Sequence, residues 1–449
     1  STFYLIFDLL ISANDLTKGN PSIRLLQFTI PFLLAFLLQV LYGTVDVVII
    51  GHFGGGTAGV SAVASGSEVM HLVASLVMGL TTGATVMIGN YYGAKRYDDV
   101  NKCIGMTITL SSILAIIMTI VMYPLIPTIA AWLHTPEEAF EMTINYARIC
   151  TCGIFFIFGY NALSAIFRGL GNSIAPLLFV GIACLINIGG DLLLVVKYQL
   201  GVTGVAIATI TSQALSMIFA IIFLHHGKFG FKCNRRYFGI NWHLAWKFAK
   251  VGVPIGLQGI IIGLSFMFIF GIVNSMGVAS SAGYGICNKI NGFAMLPAVA
   301  FSMAMSAITA QNIGAGLEQR AITTLRLGIS YAMLFGVLAL IYLQLLPRQI
   351  VELFLPGGNP DSEAAIQAAI QHIRSFSWEF ILVPIVFCTN GFFTGCGRAF
   401  FSMANNICST FFVRLPAAYF LSQIFRQGIY RIISFVIRAH FATFQDVLI

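Results

Sequence analysis

Charge is the scarcest property of this chain. Only 9% of its 449 residues are Asp, Glu, Lys or Arg, against about 25% in an ordinary soluble domain. So few ions cannot coat a water-facing surface, which excludes a soluble globular protein. Catalytic signatures are missing as well. There is no HExxH, no G-x-S-x-G, no paired His cluster and no ATP-binding loop, so neither an enzyme nor ATP coupling within the chain is expected. The nine cysteines show no CxxC or CxxH spacing and read as small buried hydrophobes, not as disulfides or metal ligands. The net charge of +8 does not point to nucleic acid, because the basic residues fall in short loops between apolar runs.

What the chain has in abundance is apolar length. Hydrophobic residues make up 58% of it and the mean hydropathy is +0.89. Runs of about 20 apolar residues recur throughout, the length a helix needs to cross a bilayer. A β-barrel would read instead as short alternating segments with a polar inner face. The pattern predicts helices over 22–50, 60–91, 103–133, 137–168, 173–197 and 201–226, then over 245–273, 280–312, 319–348, 364–396 and 399–424. Loop charges alternate along this series. Lys18, Arg24, Lys95, Arg96, Lys102, Arg168, Lys228, Lys232, Arg235, Arg236, Lys247, Lys250, Arg320, Arg326 and Arg398 fall on one side. Glu137, Glu138, Glu141, Glu352, Asp361 and Glu363 fall on the other. The positive-inside rule puts the basic set, and with it the N-terminus, in the cytoplasm of a multi-pass inner-membrane protein.

The two halves of the chain resemble each other. Pro31 answers to Pro254, the segment 88–94 to 309–315, and 167–171 to 393–397, at offsets of 223, 221 and 226. An even number of spans per half makes the repeats parallel, and such transporters bind substrate between the halves and rock one against the other. The expected organisation is a non-native or upstream extension at 1–11, an N-lobe at 12–226, a basic cytoplasmic linker at 227–246, a C-lobe at 247–424 and an atypical tail at 425–449. The tail carries Arg426, Arg431 and Arg438 where a twelfth span is due, and each arginine at mid-bilayer costs about 2.5–3.5 kcal/mol. A shift of reading frame near 422–428 is the favoured explanation, an interfacial helix the other.

At this point the motifs resemble a known family, the multidrug and toxic compound extrusion (MATE) transporters. The resemblance rests on Pro31, Val45-Asp46 with Gly51-His52, Gly79-Leu80-Thr81-Thr82-Gly83-Ala84 and Gly93-Ala94. It continues through Arg168-Gly169-Leu170-Gly171-Asn172, Asn187-Ile188-Gly189-Gly190-Asp191 and Val205-Ala206-Ile207-Ala208-Thr209 with Gln213. It implies an all-α fold of twelve helices in two six-helix bundles around a V-shaped cavity, with the last helix altered or missing here. It also implies a monomeric, cation-coupled antiporter in the lipid bilayer that exports amphipathic or cationic organic molecules, using H+ or Na+ and no other cofactor. A lipid or lipid-linked oligosaccharide flippase of the same superfamily is the alternative, and a truncated inactive transporter another.

Asp46 and Asp191 are the sole aspartates in the first-half spans, and an ion inside a membrane helix is a functional-site candidate by default. Asn187 and Asp191 are i and i+4, hence on one helix face. The resemblance implies that Asp46, Asn187, Asp191 and Thr209 converge as the cation site. Carboxylates that share a dry site titrate as a unit, and the same oxygens suit a small hard cation, so proton and sodium both remain open. The bland alternative is that Asp191 caps a helix end near Lys197 and Asp46 is a structural polar group. Glu68 and His71, i and i+3, are candidates for a second proton station or for cavity lining. Lys289 and Arg414 look like buried basic residues, with snorkelling or a carbonyl contact as the first reading and a proton or substrate contact in the cavity as the other, and Gly43 and Gly51 are candidate hinges of the first helix. The second half offers no equivalent acid pair, with Glu379 alone near the start of its span. Met70, Met78, Met87, Met267, Met295, Met303 and Met305, with Phe155, Phe156, Phe266 and Phe293, are candidates for a pliable cavity wall.

Overall fold

The computed structural model describes residues 13–416, apart from 54–55, 134, 228, 230–233, 275–277 and 356–359. The extension at 1–11 and the tail at 425–449 lie outside the described residues. The first bundle comprises α1 (Pro21–Phe53), α2 (Gly56–Gly93), α3 (Tyr97–Trp132), α4 (Glu137–Cys152), α5 (Ile154–Gly169), α6 (Ile174–Asp191) and α7 (Gly201–His226). The second comprises α8 (Trp242–Asn274), α9 (Val278–Gly314), α10 (Glu318–Leu345), the short α11 (Pro347–Glu352), α12 (Pro360–Phe376), α13 (Glu379–Gly395) and α14 (Ala399–Cys408). Eight of these helices are singly long and apolar enough to span a bilayer, as are two bent pairs. Helices predominate because a spanning segment must satisfy its own backbone hydrogen bonds.

The bent pairs correct the sequence reading. The spans expected at 137–168 and 364–396 are each broken, α4 meeting α5 at 50° and α12 meeting α13 at 54°. At the first break the Gly153 N–H bonds to Cys150 O at 3.0 Å, a tightened turn, and a Cβ there would come within 2.6 Å of Ile210. Periodicity does not register such a kink, since the apolar stripe continues on both sides of it.

The lobes are joined at the end that carries the basic loops. There the first half of α1, through Leu25, Phe28 and Phe32, packs against Ala300, Phe301, Ala304 and Ile308 of α9. Helix α2 lies against α8 with Gly79 so near the Gly256 backbone that a Cβ on Gly79 would come within 2.4 Å of the Gly256 Cα, the small-residue contact typical of helices that meet in lipid. Gln311 of α9 closes the seam. Its Oε1 accepts from Leu16 N–H at 3.0 Å and its Nε2 donates to Gly169 O of α5 at 2.9 Å. Towards the other end the lobes part, and Leu264, Met267 and Phe268 on α8 and Leu41 on α1 are exposed.

Replacing Gln311 by Leu strands a buried carbonyl in one lobe and a buried N–H in the N-terminal strap, at about 1–3 kcal/mol each. Thermal unfolding in detergent is expected to show a melting temperature several degrees lower. An unchanged value would remove Gln311 as the fastening of the seam.

Candidate functional site

Helix α1 has two separate buried stretches on one face. Residues Leu25, Phe28 and Phe32 lie at the seam, followed by the buried Ala35, and Asp46, Ile49 and Ile50 recur after a gap of three turns. The second stretch sits inside the N-lobe, where Ile49 and Ile50 pack with Val63 of α2, Tyr146 and Cys150 of α4 and Val205 of α7. Asp46 is therefore carried into the lobe interior by its apolar neighbours, and is 5% exposed.

Helix α6 brings the partners. Asn187 and Asp191, one turn apart, are 1% and 0% exposed. The Asp46 carboxyl lies within hydrogen-bonding reach of both the Asp191 carboxyl and the Asn187 amide. Asn187 Nδ2 in turn reaches Thr209 Oγ1 of α7 at 3.5 Å, and that hydroxyl donates to Val205 O at 3.0 Å. All four residues implied by the resemblance thus come together from three helices.

Apart from the Asn187 amide, the site is short of donors. Asp46 Oδ1, Asp191 Oδ1 and Oδ2 and Asn187 Oδ1 are buried with no hydrogen-bond partner. Ionised carboxylates only accept, so two that face each other repel unless a proton or a cation lies between them. Buried polar groups in folded proteins are otherwise nearly always partnered. The donor set, carboxylates with an amide and a hydroxyl oxygen, is the kind that hard cations select. Asp191 is not a helix-end cap near Lys197, because α6 continues past it as a π-helical turn over Leu192–Lys197. Such turns concentrate at functional sites.

The remaining candidates separate. Glu68 and His71 share an exposed face of α2, opposite Val63 and Gly66, which point towards Tyr146 and the aspartate pocket. Lys289, expected to be buried, is exposed on α9, because the face of α9 that packs into its own lobe is the one bearing Cys287 and Ile290. The side chain of Arg414 is outside the described structure. Helix α1 runs unbroken through Gly43 and Gly51. Met87 and Met305 are packed in the lobe interiors and so are not cavity wall, whereas Met267 and Phe293 are exposed. Tyr42, Tyr146, Cys150 and Cys184, which sequence reading passed over, lie within electrostatic range of Asp46. Nothing in their spacing marked them.

Comparison with known proteins gives a consistent result. The MatE family model matches residues 31–193 and 254–420. The probable multidrug resistance proteins YoeA and YpnP of Bacillus subtilis are both 27% identical to this chain. The first match covers 90% of this chain and 88% of that protein, the second 93% of each. Among solved structures, a MOP superfamily transporter from Pyrococcus furiosus superposes with a TM-score of 0.90 at 21% identity, over 96% of this chain and 94% of that one. That likeness shows a shared fold.

Asp191→Asn places a second amide donor among these oxygens, and removes a buried carboxyl group whose oxygens have no hydrogen-bond partner. A penalty of about 1–3 kcal/mol is relieved, so the variant is expected to melt a few degrees higher in detergent while losing any stabilisation by added sodium. A lower melting temperature would mean that the aspartate oxygens are already satisfied.

Proposed function

The chain belongs to the MatE family of multidrug efflux transporters, and on that footing we propose that it is a cation-coupled antiporter. It exports amphipathic or cationic organic molecules across the cytoplasmic membrane, as a monomer in the bilayer with its N-terminus in the cytoplasm. The observation that carries the reading is the convergence of four buried oxygens without donors at Asp46, Asn187 and Asp191, beside the Thr209 hydroxyl. A proton or Na+ that enters supplies the missing positive charge and removes the repulsion between the carboxylates.

Helix α1 is the natural transmitter. Its distal half bears Asp46 and its proximal half packs on α9 of the other lobe. A change in how tightly Asp46 is drawn to α6 is therefore felt at the seam, through one continuous helix. Gly43, exposed and with nothing near its absent side chain, is where α1 bends most freely. The cleft walls carry both signs, Glu68 and His71 on α2 and Lys289 on α9, rather than the strongly cationic surface that a lipid-linked pyrophosphate needs, which favours organic compounds over the flippase alternative.

Transport into inside-out vesicles, driven by an imposed proton or sodium gradient, tests the assignment. Asp46→Asn and Asp191→Asn are each expected to reduce gradient-driven uptake of a cationic dye to the level of empty vesicles, and the gradient that sustains the parent protein identifies the ion. Uptake that survives both substitutions would sink the cation-site reading.

A further inference from the structure

Helices α2 and α9 are counterparts in the two lobes, and the structure shows their register. Gly93 lies against the carbonyl of Gln311, and Gly314 against the carbonyl of Asn90. These are one contact drawn twice with the lobes exchanged, at an offset of 221. At the same offset Gly89 meets its own counterpart, Ala310, with 3.1 Å between a Cβ built on the glycine and the alanine Cβ. The seam is therefore an isologous contact about a pseudo-twofold axis, in which equivalent residues face each other.

The register persists into the half where the lobes part. Ala62, Val63, Gly66 and Val69 are buried in one lobe, and their counterparts Gly283, Tyr284, Cys287 and Ile290 are buried in the other. Gly66 packs on Tyr146 of α4, and Cys287 Sγ donates to Ala369 O of α12 at 3.4 Å. The opposite faces are exposed in both helices, Ser67, Glu68 and His71 against Asn288, Lys289 and Gly292. Glu68 precedes the seam residue Gly79, and Lys289 the seam residue Ala300, by the same eleven positions, a rotation of only about 20° on a helix. Both side chains hence continue the face that meets the other lobe lower down. Helix α2 has one carboxylate, α9 has one ammonium group, and neither has another ionised side chain except where His71 is protonated. These two lone charges of opposite sign are counterparts in the repeat.

We propose that Glu68 and Lys289 are the two halves of an interlobe latch. Rocking of the lobes that preserves the pseudo-twofold axis brings counterparts together at whichever end closes, as Gly89 and Ala310 already are at the basic end. Closure at the far end brings Glu68 to Lys289 and joins them as an ion pair. In the conformation seen here both are exposed and no ion pair joins them. Their attraction therefore acts on the closed form alone, and only such a difference shifts an equilibrium. Like charges at these positions would hold the cleft open. A carboxylate and an ammonium group, each costly in an apolar helix, have a use here that packing does not supply.

The inference rests on alternating access, and its test separates the two. Spin labels at Ala64 and Ala282, exposed positions towards the cleft ends of α2 and α9, report the separation of the lobes by pulsed electron resonance in lipid nanodiscs, in a cysteine-free background. The parent protein is expected to show a long and a short distance. Glu68→Gln and Lys289→Gln are each expected to deplete the short one about two- to five-fold, the range of an exposed or half-buried pair. The charge-reversed double variant, E68K with K289E, is expected to restore it, which a merely misfolded variant would not do. Two distances that persist unchanged in both single variants, or a double variant no better than the singles, overturn the latch and leave alternating access standing. One distance under every condition overturns both.

Discussion

Two carboxylates facing each other out of reach of water are the tightest physical constraint in this molecule. Lipid offers neither donors nor counterions, so Asp46 and Asp191 have to be enclosed by protein, and the N-lobe is arranged around that enclosure. Apolar residues one turn further along α1, Ile49 and Ile50, press the helix into the lobe. Asn187 and Thr209 complete a wall of oxygens, and the π-helical turn after Asp191 keeps that helix continuous past the site. The arrangement is unfavourable on its own, because ionised carboxylates only accept hydrogen bonds and repel each other.

Helix α1 connects this enclosure to the seam between the lobes. It is the helix with one buried stretch in each lobe's territory. The seam it joins is built for separation as well as for contact. Glycines let α2 and α8 approach backbone to backbone, and the polar fastening lies in a few hydrogen bonds, those of Gln311 together with Lys247–Tyr91 and Ser22–Tyr331, rather than in many ion pairs. Contacts of this kind hold firmly while made, and part without leaving charges stranded in lipid.

The second half departs from strict symmetry in its chemistry more than in its architecture. Broken fourth spans and π-helical turns occur in both lobes, at Leu192–Lys197 and again at Ser409–Arg414. The acid pair has no twin. His372, buried and stacked on Phe376, occupies the interior of the C-lobe instead. The repeat thus preserves the machinery of motion in both lobes while confining the aspartate pair to one.

Sequence alone determined the class of protein, the number and limits of most spans and the parallel repeat. Each of these is written locally. A bilayer demands long uncharged runs, loops carry orientation in their charges, and a repeat shows in the order of its motifs. The resemblance to a family implied the convergence of Asp46, Asn187, Asp191 and Thr209, because Asp46 and Asp191 stand 145 positions apart and no local pattern connects them. Tertiary structure alone decided that the oxygens meet without donors, that the fourth span of each lobe is bent, and that Lys289 stands exposed where burial was expected. It also decided which end of the molecule is closed. Those outcomes depend on which helix face a neighbour covers, a property of packing between distant segments that hydropathy along one chain does not contain.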